Sequence, residues 1–170
     1  MYDDNAFFLI NYFVSIDLQS FGGQKLMRRG DFHVGSQVQT MVRLPQIEKS
    51  DKGLAYSRRH FCLCGTFNGS ISVISPISEK TFKRLNTLYG QLVNNLQHVA
   101  GLNPRAFRLI KGPKQRMSSN RTKAVLDGDL VFSFAGLSIE EQKETTKQIG
   151  TTVTRIMEDL VDIECSINHF

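Results

Sequence analysis

Four stretches of this 170-residue chain carry side chains whose types and spacing could do chemistry. His60-Phe-Cys62-Leu-Cys64 sets an imidazole and two thiols two residues apart, which are the ligand types of a zinc site. Zinc needs donors that converge from different elements at tetrahedral angles. Side chains along one strand face instead run parallel, roughly 7 Å apart at two-residue spacing. Cys165 and His169 could complete a site only if the fold carried the far end of the chain to that strand. The stretch reads as a buried strand face, because free cysteine is usually a small core residue. No metal and no other cofactor is expected.

The second stretch, Asp127-Gly-Asp129, imitates the start of a calcium loop, but the glycine and the terminal bidentate Glu are not where such a loop needs them. Asp127 reads as a helix cap. The third, Glu141–Asp159, has a glycine between two helical patterns, as in a DNA-reading helix-turn-helix. Its second helix would carry Arg155 against Glu158, Asp159, Asp162 and Glu164, and a duplex would repel that balance. A plain corner between two helices is the better reading.

The fourth stretch holds Arg105, Arg108, Lys111, Lys114, Arg116, Arg121 and Lys123. A basic loop binds phosphate without sequence preference. Phe107 alone offers an aromatic platform, which is little for a single-strand reader. Docking on an acidic protein surface is favoured, with RNA contact and a solvated loop as alternatives. No nucleophile elbow, phosphate-binding loop or His-Glu zinc helix occurs, so an enzyme is not expected.

The net charge is +5, from 21 basic and 16 acidic residues. It is unevenly spread: residues 103–126 carry seven bases and no acid, and residues 127–170 carry nine acids and three bases. Three cysteines cannot all pair within one chain, which suggests a reducing compartment. The apolar run Ala6–Ile16 follows Asp3 and Asp4, the wrong charge for a leader, and is about half the length of a membrane span. It reads as a buried strand, and no membrane or small-molecule partner is expected.

The elements that must position these residues divide into a β half and an α half. Val38, Thr40, Val42 and Leu44 alternate with Gln37, Gln39, Met41 and Arg43, the period of a half-buried strand. Pro45 to Gly53 is polar and reads as a loop. His60–Phe67 and Ser70–Ile77 flank Asn68-Gly69, which predicts a hairpin with a type I′ turn. Ser78 can cap a helix whose stripe is Phe82, Leu85, Leu88, Leu92, Leu96 and Val99, stopped by Gly101. Asn103-Pro104 opens a short helical turn on which Phe107 and Leu109 can pack. Ser138 and Glu141 form a capping box, Gly150 ends that helix, and Thr152 caps a last one facing Val153, Ile156, Met157, Leu160 and Ile163 inward. Strands followed by helices imply an α+β fold. No second sheet is expected to cover the faces of these strands, as in the terminal antiparallel strands of a β-propeller. The chain therefore divides into residues 1–77, incomplete propeller strands, and residues 78–170, an all-helical domain, and reads as the C-terminal piece of a longer protein.

Several segments resemble the large-subunit family of the cleavage and polyadenylation specificity factor. They are Ser20–Gly35 (SFGGQKLMRRGDFHVG), Ser78–Leu85 (SEKTFKRL), Ala100–Arg108 (AGLNPRAFR), Val125–Leu130 (VLDGDL), Ile149–Thr152 and the terminal His169-Phe170. The resemblance spans residues 20–170. Residues 1–19, 45–59 and 111–121 depart from it. The large subunits of the damaged-DNA-binding complex and of splicing factor 3b are sister families that share the Asp-Gly-Asp-Leu region. The resemblance implies three propellers and a helical domain in a non-enzymatic nuclear scaffold for pre-mRNA 3′-end processing. It implies WD-repeat and zinc-finger subunits as partners, with RNA contact secondary. The matching motifs read as folding rather than contact residues.

Overall fold

The computed structural model describes residues 6–11, 27–50, 53–108 and 125–167. Among the described residues the architecture is α+β, with five antiparallel strands preceding five α-helices. Strand β1 (Ala6–Asn11) pairs with β2 (Met27–His33) in a two-stranded sheet. Strands β3 (Val38–Ser50), β4 (Gly53–Thr66) and β5 (Ile71–Ile74) form a second sheet in that order. The expected Gly22-Gly23 turn and the end of the Ala6–Ile16 run lie outside the described residues.

Residues 45–50 are strand, not the loop their polarity suggested. Ile47, Glu48, Lys49 and Ser50 pair in register with Tyr56, Ala55, Leu54 and Gly53. Among the described residues β3 is an edge strand, where a proline costs no ladder donor. The register slips between Pro45 and Ile47. Polarity misled because, among the described residues, β3 pairs on one side only and does not need an apolar sequence there.

The Asn68-Gly69 hairpin forms, with Gly65 opposite Ile71 and Cys64 opposite Ser72. Its turn is not type I′, which needs positive φ at both central residues. Gly69 has φ 84° and Asn68 does not have positive φ. The Gly69 amide donates to the Thr66 carbonyl at 3.0 Å, the pattern of a type I turn closed by a glycine bulge. Asn68 is used through its side chain: Oδ1 accepts from the Thr66 hydroxyl at 2.6 Å and the Ser70 hydroxyl at 2.9 Å.

Helix α1 (Glu79–Asn95) starts where expected, with the Ser78 hydroxyl accepting from the Thr81 amide at 3.1 Å. It stops short of Val99. Asn94 and Asn95 are weak helix formers, and His98 Nε2 contacts the Val93 carbonyl at 2.8 Å, satisfying a terminal acceptor. A single helical turn, α2 (Pro104–Phe107), and the short α3 (Gly128–Phe132) follow. Helix α4 (Ile139–Gln148) carries the full capping box of Ser138 and Glu141. Helix α5 (Val153–Ile167) begins with the Thr152 hydroxyl accepting from the Arg155 amide at 3.3 Å.

The main core is helical. Leu85, Leu88 and Leu92 of α1 meet Val131 and Phe134 near α3, and Ile156 and Leu160 of α5. Each is within a few per cent of complete burial, and each such side chain contributes about 1.5–3 kcal/mol. The sheet buries less: Phe61 and Cys64 are inside, while Met41, Val42, Ile71 and Val73 stay exposed. The alternating stripe of β3 is therefore a strand without being half-buried along its length.

Candidate functional site

Of the seven basic candidates, Arg105 and Arg108 are described, while Lys111, Lys114, Arg116, Arg121 and Lys123 lie outside the described residues. The two arginines flank Phe107 on one turn of helix. Asn103 caps that turn, its Oδ1 accepting from the Arg105 amide at 2.9 Å. Arg105 is exposed, and Arg108 is turned inward with its side chain 13% exposed.

Every N–H of the Arg108 guanidinium is engaged. Nε donates to Asp127 Oδ2 at 2.7 Å, and Nη2 donates to Asp127 Oδ1 at 3.2 Å and to Asp129 Oδ2 at 2.9 Å. Nη1 donates to the carbonyls of His33 at 3.2 Å and Val34 at 3.3 Å. The His33 amide returns a bond to the Arg108 carbonyl at 3.1 Å. The guanidinium also lies 4.8 Å from the Phe32 ring centroid and 5.2 Å from that of Phe107, within cation–π range. Arg108 thus joins the end of β2, the α2 turn and the start of α3.

Asp127 does stand at the helix start, but its carboxylate makes no cap bond to the α3 amides. It serves Arg108 instead. The Asp-Gly-Asp run is neither a calcium loop nor a side-chain cap here.

A second ion pair escaped the sequence reading. Arg84 of α1 grips Asp159 of α5 with two donors, Nη2 reaching Oδ1 at 2.8 Å and Nε reaching Oδ2. Asp159 is 4% exposed. The hydrogen bond to Asp159 pushes the Arg84 guanidinium pKa further up. A signal existed: Arg84 adjoins Leu85, Asp159 adjoins Leu160, and both leucines are stripe positions. A third polar link joins sheet to helix. Gln46 of β3 is buried, and its Nε2 donates to Ser166 Oγ at 2.8 Å and to the Pro76 carbonyl at 3.3 Å.

His60, Cys62 and Cys64 do not converge. His60 is exposed and accepts from Arg43 Nη2 at 3.1 Å, Cys62 is half-buried, and Cys64 is fully buried. Burial, and secondarily the nearby Cys62, pushes the Cys64 thiol pKa up. Among the described residues no three His, Cys, Asp or Glu side chains lie close enough to hold a metal ion.

The α4–α5 corner has Gly150 at φ 71°, and Arg155 is tied to Glu158 at 3.0 Å rather than projecting freely. A shallow groove of about 440 Å³ runs along α5 between Thr154, Met157, Glu158, Val161 and Asp162. No described helix is long and apolar enough to cross a membrane.

Phe107, expected to pack, is 54% exposed, and Leu102 is 72% exposed. The one-turn helix between them buries none of its residues. This apolar knob was missed because its residues were credited to folding. Leu109 lies outside the described residues.

The two motifs that Arg108 joins, Ala100–Arg108 and Val125–Leu130, are both segments on which the family resemblance rested. Comparison with known proteins agrees with it. The family described as the CPSF A subunit region matches residues 2–136. Similar curated proteins include cleavage and polyadenylation specificity factor subunit 1 of Drosophila melanogaster, 36% identical over 152 residues, covering 86% of this chain and 10% of the relative. The protein of the same name from Arabidopsis thaliana is 37% identical over 161 residues, covering 95% of this chain and 11% of the relative. Protein cft1 of Schizosaccharomyces pombe is 31% identical over 154 residues, covering 89% and 10%. The chain belongs to the CPSF A subunit family. It spans about a tenth of the length of these curated relatives.

Proposed function

We propose that this chain is part of a non-enzymatic nuclear scaffold that holds subunits of the pre-mRNA cleavage and polyadenylation machinery together. The observation that carries the reading is the likeness, over most of the chain, to proteins named cleavage and polyadenylation specificity factor subunit 1. Residues 1–77 serve as terminal strands of a β-propeller, and residues 78–170 as the helical domain that follows. The Gln46–Ser166 and Arg108–His33 bonds cross that boundary, which suits a rigid support for other proteins. The partners are the other specificity-factor subunits, a WD-repeat protein and a zinc-finger protein among them. Affinity purification of the full-length protein is expected to recover those subunits. Recovery of splicing or ubiquitin-ligase components alone would overturn the assignment.

A second reading rests on the seven bases without an acid in residues 103–126. It makes Arg105 and the lysines and arginines from Lys111 to Lys123 a secondary RNA contact. Arg108 supports it less, its donors being satisfied inside the fold. RNA affinity that falls with salt, on a slope reduced by each lysine removed, is the expected signature. An affinity unchanged by neutralising Lys111, Lys114, Arg116, Arg121 and Lys123 together would exclude it.

A further inference from the structure

The segment Ala100–Phe107 is apolar for most of its length yet lies on the outside. Ala100, Gly101, Leu102, Asn103, Arg105, Ala106 and Phe107 are all exposed, and Pro104 is half-buried. Apolar residues scattered singly on a surface need no explanation, whereas a contiguous group does. Leu102 and Phe107 occupy the two positions that often close a hydrophobic staple around a helix start. A staple would cover Leu102, which is instead 72% exposed.

The knob is also held in one shape. Ala100 has φ 52°, a left-handed conformation that costs an L-residue about 1–2 kcal/mol. Asn103 caps the turn, and Arg108 anchors its far end to β2 and to Asp127. Ordering exposed side chains before contact lowers the entropy lost on binding.

We infer that Leu102, Arg105 and Phe107 form a preorganised protein-docking knob whose partner is an apolar pocket rimmed by carboxylates. This rests on the scaffold reading and names a surface for it. Charge selects the partner: Arg105 is the exposed cation of the knob, and the acids beside the knob, Asp127 and Asp129, are both bonded by Arg108. Geometry disfavours RNA. The Phe107 ring meets the His33 ring edge-on, with centroids 5.0 Å apart at 89°, and carries the Arg108 guanidinium nearby. A ring so flanked is a poor stacking platform for a base, and Leu102 offers no π-face.

The test uses the tagged full-length protein in nuclear extract, with a photo-crosslinking residue at position 102. The variants are Leu102→Glu, Arg105→Glu and, as control, Ile139→Glu at an exposed apolar position on α4. Leu102→Glu and Arg105→Glu are each expected to lower recovery of one and the same cleavage-machinery subunit about tenfold, with Ile139→Glu unchanged. The crosslink is expected on a segment of that subunit with Asp or Glu among apolar residues. Reversing that acid to Lys should restore binding of Arg105→Glu. Recovery of every subunit at wild-type level by both variants would overturn the inference, as would a crosslink to RNA or to another part of the same polypeptide. A wild-type protein that recovers no such subunit would instead overturn the scaffold reading, and the crosslink from position 102 would still decide the surface.

Discussion

Arg108 and Asp127 meet as a two-pronged pair, Nε on Oδ2 at 2.7 Å and Nη2 on Oδ1 at 3.2 Å, with Asp127 only 5% exposed. A carboxylate that far from water depends on its partner. Arg108→Ala is expected to cost about 3–5 kcal/mol, because it strands a buried charge. Arg108→Lys should recover little, since an ammonium cannot reproduce the planar fork or reach both strand carbonyls. Urea unfolding of the single and double variants with Asp127→Asn checks this. The double variant should lose clearly less than the sum of the singles.

Arg84 and Asp159 make the same argument between α1 and α5. Asp159→Asn should lower stability by about 3 kcal/mol. Replacing both residues by Met and Leu should restore much of it, since Leu85 and Leu160 beside them are buried in the apolar core. Thermal melts of the three variants would show whether the pair fastens the two helices or merely occupies their seam.

The capping box of α4 is expected to titrate. Hydrogen bonds from the Ser138 hydroxyl, and then from its backbone amide, hold the Glu141 carboxyl below its ordinary value. A depressed folded value means the folded state binds the proton less readily than the unfolded one. The stabilisation is therefore complete above the ordinary glutamate value and is lost as pH falls through the folded one. Ser138→Ala should weaken that acid dependence, leaving the part due to the backbone amide, read as amide exchange in the first turn of α4 between neutral and acidic pH.

The capping box shows how far the sequence carried. Ser138, Glu141, Thr152 and the stripes of α1 and α5 were legible because their partners sit within four residues or on one helix face. Arg105 and Arg108 look alike because a charge count sees neither the carboxylate 19 residues on nor the carbonyls of His33 and Val34. Asp127 was read as a cap for the same reason. Polarity concealed the strand at residues 45–50, and Gln46 there answers a serine 120 residues away. Phe107 reads as a packing residue because exposure cannot be read from an apolar residue type.

Thiol reactivity gives a separate check on the sheet. Burial holds the Cys64 thiol pKa up, while Cys165 is exposed. Under native conditions at neutral pH an alkylating reagent should label Cys165 first and Cys62 more slowly, reaching Cys64 only on unfolding. Early labelling of Cys64 would contradict its position in β4.

The bond from Gln46 to Ser166 has a consequence for the order of synthesis. Contacts this distant in sequence form late, because the intervening chain must first be made and closed into a loop. During translation the hairpin of β3 and β4 can pair as soon as it leaves the ribosome, but the Gln46 amide waits another 120 residues for its partner on α5. A chain halted before α5 would carry a finished hairpin whose helix-facing side is still open, a form suited to chaperone capture.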